Sequence, residues 1–339
     1  MAASHSEQPA VLINFSVGRA VIIISRESSQ HFALRFADSH SAARYPLPVS
    51  GPATYLHRNG GLIARLSLPA IPPDWIIAAS FVTPGRLTPP HQFRLLTSAH
   101  TWPLLPVPST VGQRPDQVAT QGDVSTHIDC WHSHRPLTAP LVELQLDCAA
   151  LPDHHLLCVS ARPLTLTPTV PADTKVSART PLAISQMMAK DTAIRHHICS
   201  PTSVAMLMPA GDREVMVEAC RDSATGLFGS WPMAVRAAAM AGHAVAGVEL
   251  HADWSQALYV LRQGYAFATS IRYPAGKLAG APLNGTSGHL VIVHGVDGNR
   301  VLVHDPAAEN DTTVSRTYDA QEFSNAWLAI RGASYIIAP

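Results

Sequence analysis

The sequence predicts an α+β protein in which an all-β, sandwich-like domain precedes a domain that combines helices with a sheet. The first 165 residues contain short segments rich in Val, Ile, Leu and Phe that Pro and Gly clusters separate, a pattern typical of many short strands. A stretch rich in Pro and Thr follows, and after it helical segments precede further strands. We therefore divide the chain into a β-rich accessory domain over residues 1–165, a linker over 166–181 and a second domain over 182–339.

The candidate strands of the accessory domain share a high content of β-branched and aromatic residues. They are AVLINFSV, RAVIIIS, HFALRFA, LIARLSL, WIIAASFV and LVELQLD. Several of them alternate apolar with polar side chains, which favours antiparallel strands with one buried face in a sandwich or barrel. No catalytic motif stands out in this half, and ligand binding is one interpretation of its role.

The second domain begins with helical patterns and ends with strands. SPTSVAMLM and SWPMAVRAAAMAGH indicate helices, and ADWSQALYVLRQG carries Asp253 as an N-cap, Gln256 at the capping-box position and Gly264 as a stop signal. The segments YAFATSIRY, HLVIVHGV and RVLVHDP indicate strands. The turn DGN joins the last two and predicts a β-hairpin.

Composition and charge exclude several classes of function. Lys and Arg balance Asp and Glu at 24 each, so the chain offers no electrostatic basis for binding nucleic acid or an anionic membrane. We find no run of roughly 18 apolar residues and no signal-peptide pattern at the start. The five cysteines are odd in number and widely spaced, which argues against a disulfide framework. We expect a cytoplasmic protein without a membrane span; its oligomeric state is open.

Eighteen histidines raise the question of a metal site. None of them shows the H-E-x-x-H spacing, and none is paired with closely spaced cysteines. We therefore expect no metal and no other cofactor.

One cysteine lies in a setting that suits a nucleophile. In HHICSPTSVAMLM, Ser200 is a candidate N-cap and Pro201 a candidate first helical residue, which would place Cys199 at the N-terminal end of a helix. Free backbone N–H groups and the helix dipole there stabilise a thiolate. The alternative is a buried, inert thiol, which is the more common state of a lone cysteine.

A thiolate nucleophile also needs a base and a group that orients the base. In NGTSGHLVIVHGV, His289 lies where a strand leaves a glycine-containing loop, and Asp305 follows the next strand in RVLVHDPAA. The start of one hairpin strand and the end of its partner are neighbours, so we expect His289 and Asp305 to meet. His294 and His304 are rivals of opposite strand parity, so at most one member of each pair faces the site.

Four segments together carry a family resemblance: ISQ, CSPTSVAM, APLNGTSGHLVIVHGV and VLVHDPAAEN. Over roughly residues 180 to 332 the chain resembles the papain-like domain of bacterial peptidases related to the bacteriocin-processing, double-glycine leader peptidases. The resemblance implies a papain-like cysteine peptidase domain in which Cys199 is the nucleophile, His289 the general base and Asp305 the orienting acid. It also implies Gln186 as the donor to the oxyanion.

The chain departs from that family in two respects. Relatives often have an aromatic residue before the cysteine, where this chain has Ile198, and the transporter-fused members carry membrane spans and a phosphate-binding G-x-x-x-x-G-K-[ST] loop that this sequence lacks. We therefore expect a stand-alone hydrolase. Trp231 in LFGSWPMAV either lines the substrate cleft or packs in the core, and Cys220 is expected to be structural.

The function that the sequence favours is a cysteine peptidase that hydrolyses a peptide or protein substrate through an acyl-enzyme intermediate. Two alternatives stay open. One is an amidase or acyltransferase with the same triad, and the other is a non-catalytic binding protein that retains the fold.

Overall fold

The computed structural model describes the chain from residue 32 to residue 338 with several gaps. The described residues are 32–37, 44–45, 56–58, 61–109, 119–171, 174–242 and 244–338. The first two predicted strands, AVLINFSV and RAVIIIS, lie outside them. Within these ranges helix and sheet are mixed, as the α+β prediction requires.

The N-terminal half contains two antiparallel sheets. The first has the strand order β1-β11-β4-β9-β8-β7 and the second the order β2-β3-β10-β5-β6. The strands are β1 Phe32–Ala37, β2 Leu56–Arg58, β3 Gly61–Ser67, β4 Trp75–Val82, β5 His91–Leu96, β6 Thr101–Pro103, β7 Ala119–Gln121, β8 Val124–Thr126, β9 Cys130–Ser133, β10 Leu141–Leu146 and β11 Leu156–Pro163.

Strand β4 shows how the first sheet comes to be covered on both faces. Its sequence, WIIAASFV, is apolar almost throughout, which is typical of a strand buried on both sides. Ile77 and Phe81 belong to a hydrophobic cluster that also contains residues of the second sheet. Ile76 and Val82, of opposite parity, belong to a different cluster that continues into the C-terminal half. The first sheet is therefore the middle layer of the molecule.

The C-terminal half combines helices with a seven-stranded antiparallel sheet, and the two kinds of element alternate along part of the chain. The helices are α1 Cys199–Leu207, α2 Arg213–Cys220, α3 Trp231–Gly242, α4 Trp254–Arg262 and α5 Ala320–Trp327. The strands are β12 Lys175–Ser177, β13 Val245–Leu250, β14 Phe267–Tyr273, β15 Thr286–Asp297, β16 Arg300–His304, β17 Ser315–Asp319 and β18 Ala333–Ala338. Their order is β13-β18-β14-β15-β16-β17, and β12 pairs with β15. No described helix is long and apolar enough to cross a membrane.

Local signals position several of these elements. Asp253 caps α4 by accepting a hydrogen bond of 2.8 Å from the N–H of Ser255. Gly264 follows the helix with φ +85°, a conformation that glycine adopts without strain. The predicted hairpin joins β15 to β16, and Asp297 pairs with Arg300 across its turn.

The N-terminal half covers the outer edge of the C-terminal sheet. Strand β13 lies at that edge, so its outward backbone groups need partners from elsewhere. Hydroxyl groups of the middle sheet supply them: Val248 donates its N–H to Ser80 Oγ at 3.0 Å, and Leu250 donates to Ser160 Oγ at 3.0 Å. The two halves are therefore joined by hydrogen bonds as well as by apolar packing.

A buried ion pair crosses the same interface. Arg35 Nε on β1 lies 2.7 Å from Glu249 Oε1 on β13, and the hydroxyl of Tyr45 also donates to this oxygen. Burial alone would raise the pKa of the Glu249 carboxyl, but Arg35 and His251 hold it well below its usual range. Glu249 is thus ionised within the protein interior, where a carboxylate is stable only if charged or hydrogen-bonding partners compensate for its lost hydration.

The linker predicted over residues 166–181 contributes a strand to the C-terminal sheet. Within it, Lys175–Ser177 form β12 and pair with Asp297–Gly295 of β15. The division into 1–165, 166–181 and 182–339 stays a prediction, and the shared cluster shows that the two sides of the linker pack on each other.

We predict that Arg35→Met lowers the free energy of unfolding by about 3–5 kcal/mol, because it leaves Glu249 buried without its cation. Urea denaturation of the full chain measures the change. Lys175→Met is the matched control, since it breaks the exposed Lys175–Asp297 pair at 3.3 Å and should cost less than about 1 kcal/mol. Losses of equal size in the two variants would contradict the dependence on burial.

Candidate active site

Cys199 is the first residue of α1, and the cap differs from the predicted one. Ile198 occupies the N-cap position and makes no side-chain capping bond, while Ser200 and Pro201 lie inside the first turn. The first helical hydrogen bond runs from the N–H of Thr202 to the carbonyl of Ile198 at 3.1 Å. Pro201 is tolerated there because an N–H in the first turn has no partner within the helix. The prediction of Ser200 as N-cap was wrong.

Ser200 instead anchors the start of α1 to the sheet. Its hydroxyl lies 3.0 Å from that of Tyr335 on β18, and both residues are buried. Gly229 packs against the same serine so closely that a Cβ at this position would lie 2.5 Å from Ser200 Cβ. The backbone that bears Cys199 is therefore held from two sides.

His289 and Asp305 meet at the paired ends of β15 and β16. His289 is the fourth residue of β15, and Asp305 follows β16 directly. Ile292 pairs with His304. Extending this register by one residue places Asp305 opposite Val291, so Asp305 and His289 are diagonal neighbours on one face of the hairpin. His289 Nε2 lies 2.7 Å from Asp305 Oδ1. Both side chains are buried.

The Asp305 carboxylate accepts further hydrogen bonds that keep it ionised. Oδ1 also accepts from the N–H of Ala307 at 2.9 Å, and Oδ2 accepts from the hydroxyl of Tyr318 at 2.7 Å. Burial alone would raise the pKa of Asp305, but His289, Tyr318 and Ala307 lower it. The sequence pattern did not reveal Tyr318, which is separated from Asp305 by a loop and lies on the next strand.

The thiol of Cys199 and the imidazole of His289 act on each other electrostatically. Burial alone would raise the pKa of the thiol, but His289 and the backbone amides of Leu290 and Ser200 lower it below its usual value. Burial would likewise lower the pKa of His289, but Asp305 and Cys199 raise it to about 10. Because Nε2 is bound to Asp305, Nδ1 is the nitrogen that remains for the thiol. The contacts between these two groups therefore favour the thiolate and the imidazolium over their neutral forms.

The other thiols have the opposite character. All five cysteines are free. Burial raises the pKa of Cys158 and of Cys220 to about 12, and it also raises the pKa of Cys130 and Cys148. Cys148 is partly exposed like Cys199, so exposure alone does not lower a thiol pKa in this protein; the partners of Cys199 do.

Gln186 lies between Asp305 and the segment that leads to Cys199. It begins a short 3-10 turn over Gln186–Met188, and its N–H donates to the carbonyl of Pro306 at 2.8 Å. Its side-chain Nε2 donates to the carbonyl of Arg195 at 2.7 Å, four residues before Cys199. Its Oε1 is buried without a hydrogen-bond partner in the described part of the chain. The amide is therefore oriented by the loop that precedes α1.

Comparison with known proteins bears on this half of the chain. Residues 183–335 match the model of the peptidase C39-like family, and this range contains all four candidate residues. We therefore refer to residues 183–335 as the C39-like domain. A crystal structure from Bacillus anthracis named as a C39-like peptidase aligns with a TM-score of 0.37 at 14% identity, over 49% of this chain and 98% of that one. No curated protein matches the sequence.

The rival histidines of the C39-like domain contact each other. The rings of His294 and His304 lie 4.9 Å apart, and His304 Nδ1 lies 3.1 Å from the carbonyl of Leu182. Burial lowers the pKa of His294 to about 4 and also lowers that of His304, so both are neutral at neutral pH. Their described contacts do not include Cys199 or Asp305.

Trp231 packs in the core of the C39-like domain. It is 4% exposed, and its backbone N–H donates to Asp129 Oδ2 of the N-terminal half at 3.2 Å. The Arg331 guanidinium lies 5.8 Å from its ring centroid. Of the two interpretations of this residue, the core tryptophan at a helix start fits these contacts.

Among the described residues no group of three or more His, Cys, Asp or Glu side chains is arranged to hold a metal ion.

We predict that iodoacetamide alkylates Cys199 at least about tenfold faster than Cys220 at neutral pH, because the rate follows the thiolate fraction. Site-resolved mass spectrometry of the folded protein measures both rates. His289→Ala should slow the reaction of Cys199, because the imidazolium that stabilises the thiolate is lost. His294→Ala, the matched control, should leave the rate unchanged; equal effects of the two variants would contradict the pairing.

Proposed function

We propose that the protein is a cysteine peptidase that hydrolyses peptide bonds through Cys199, His289 and Asp305. The observation that carries this proposal is the coupled set of contacts: a thiol with lowered pKa beside an imidazole whose other nitrogen is hydrogen-bonded to a buried carboxylate. A nucleophile, a base and an orienting group in this order are the parts that acyl transfer by a thiolate requires. The family match supports the same reaction class.

Each residue has a defined task in the proposed reaction. The Cys199 thiolate attacks the carbonyl carbon, and the electron pair of the C=O bond moves to oxygen. His289 gives its Nδ1 proton to the departing amine as the C–N bond breaks, which leaves a thioester. The neutral imidazole then removes a proton from water, which attacks the thioester, and Cys199 leaves as the thiolate.

Asp305 assists His289 both when the imidazolium gives a proton to the leaving amine and when the imidazole takes one from water. Its hydrogen bond to Nε2 fixes the ring, so that Nδ1 is the nitrogen that exchanges protons with the thiol and the leaving group. Its negative charge stabilises the imidazolium in the resting pair.

We assign the oxyanion to Gln186 and the backbone N–H of Cys199. The N–H of the first helical residue has no acceptor within the helix, so it is free to donate to an oxyanion beside the thiol. The Gln186 amide uses one N–H on the carbonyl of Arg195, and its second N–H is left for the substrate. Such donors act without reorganisation when charge develops on the oxygen.

The N-terminal half fits the role of a sandwich-like accessory domain held in a fixed position. Its two antiparallel sheets share one hydrophobic cluster, and the middle sheet is tied to β13 by Ser80, Ser160 and the Arg35–Glu249 pair. We propose that the substrate is a peptide or protein.

We predict that Cys199→Ala and His289→Ala abolish cleavage of a peptide library, while Asp305→Asn keeps partial activity because an amide still orients the ring. Gln186→Ala should lower kcat by about 10²–10³, the usual effect of losing one oxyanion donor. Gln321→Ala, which changes an exposed glutamine on α5, is the control. Liquid chromatography with mass spectrometry detects the fragments. Fast alkylation of Cys199 with acyl transfer to added amines, but no hydrolysis, would contradict the peptidase and favour an acyltransferase.

We predict that the basic limb of the pH profile of kcat/KM lies near pH 10. The pair needs a deprotonated thiol, whose pKa is lowered, and a protonated imidazole, whose pKa is raised to about 10. Activity should therefore fall on the basic side, as His289 loses the proton that the leaving amine requires. Initial rates over pH 4 to 11 test this, and a basic limb near pH 7 would contradict the coupling.

A further inference from the structure

Tyr318 makes a contact with the candidate site that the proposed reaction does not use. It lies on β17, it is 1% exposed, and its hydroxyl donates to Asp305 Oδ2 at 2.7 Å. Its ring stacks on Phe323 with centroids 6.1 Å apart and an interplanar angle of 17°. The ring packing therefore fixes where the hydroxyl points.

The two oxygens of Asp305 have different partners. Oδ1 is bound by His289 and by the N–H of Ala307, whereas the described donor to Oδ2 is Tyr318. Asp305 is fully buried, so without this hydroxyl Oδ2 would be a charged oxygen without a partner in the interior. The carboxylate would then rotate or take up a proton, and either change would weaken its hold on His289.

We propose that Tyr318 is a positioning residue for the catalytic carboxylate, which it keeps ionised and turned with Oδ1 toward His289. This proposal rests on the proposed function of the triad. Tyr318 touches neither the thiol nor the imidazole in its described contacts, so it acts through Asp305 alone.

The other titratable and charged groups around this contact are few. His289 on β15 faces Oδ1, and Tyr273 on β14 and Arg316 on β17 are near enough to act electrostatically on Asp305 or Tyr318. Tyr273 directs its own hydroxyl to the carbonyl of Leu283 at 3.0 Å rather than to Asp305. It is therefore a matched control: a tyrosine at the same site whose hydroxyl has a different partner.

Tyr318→Phe in the full chain removes the hydroxyl and retains the ring. We expect kcat for peptide cleavage to fall about tenfold with KM unchanged, as for the loss of one hydrogen bond to a charged acceptor. We also expect the acidic limb of Cys199 alkylation to move to higher pH. The sign follows because Asp305 without its donor takes up a proton at higher pH, and a neutral Asp305 no longer supports the imidazolium. Tyr273→Phe should shift neither quantity.

The outcomes separate the two proposals. If Cys199 reacts fast in a His289-dependent manner but Tyr318→Phe has the same acidic limb and kcat as the unchanged protein, the positioning role is overturned and the triad stands. If Cys199 reacts no faster than Cys220 in any variant, the proposed function itself fails. Thermal unfolding of both Phe variants shows whether a loss of stability accounts for the effect; a shift that occurs at equal stability in Tyr318→Phe alone supports the proposal.

Discussion

The candidate site depends on the hydrogen bond of 2.7 Å between His289 and Asp305, which joins two ionisable groups in the interior. A carboxylate is stable at such a position only if its oxygens accept hydrogen bonds. Tyr318 on β17, Ala307 in the turn after β16 and His289 on β15 supply the donors. The register of the hairpin sets the pair at diagonal positions. The carbonyl of Pro306, next to Asp305, in turn accepts from the N–H of Gln186. The buried carboxylate of Asp305 and the neighbouring Pro306 carbonyl thereby connect the sheet, the turn after β16 and the segment before α1.

How far the sequence predicts this fold depends on the range of each interaction. Asp253 and Gly264 mark the ends of α4 correctly because a cap and a left-handed stop are decided within a few residues. Ser200 failed as a cap since its hydroxyl finds Tyr335, a partner 135 residues away that no local pattern reveals. The strand Lys175–Ser177 inside the predicted linker forms for the same reason: its partner is β15, not its neighbours in sequence.

The candidate site shows the same division. Hairpin topology predicts that His289 and Asp305 lie near each other, because their separation is fixed by a short turn and two strands. The pairing of Cys199 with His289 spans 90 positions, and only the order of residues in a resembling family indicated it; their catalytic roles stay predictions. Tyr318 was missed because a tyrosine on an alternating strand has the same pattern as any half-buried aromatic residue. What distinguishes it is the buried carboxylate that it meets, which is a property of the fold.

The two halves of the molecule are linked to the site through strand order. In the described part of the chain the middle sheet of the N-terminal half is separate from the C-terminal sheet. Its serines nevertheless accept hydrogen bonds from the outer edge of β13, and Arg35 of β1 pairs with Glu249 of β13. Strand β13 pairs with β18, and β18 carries Tyr335, whose hydroxyl holds Ser200 beside Cys199. A sheet edge left in water would fray and admit other strands. By covering this edge, the N-terminal half supports β18, the strand next to the interface strand β13, to which the start of α1 is fixed through Tyr335.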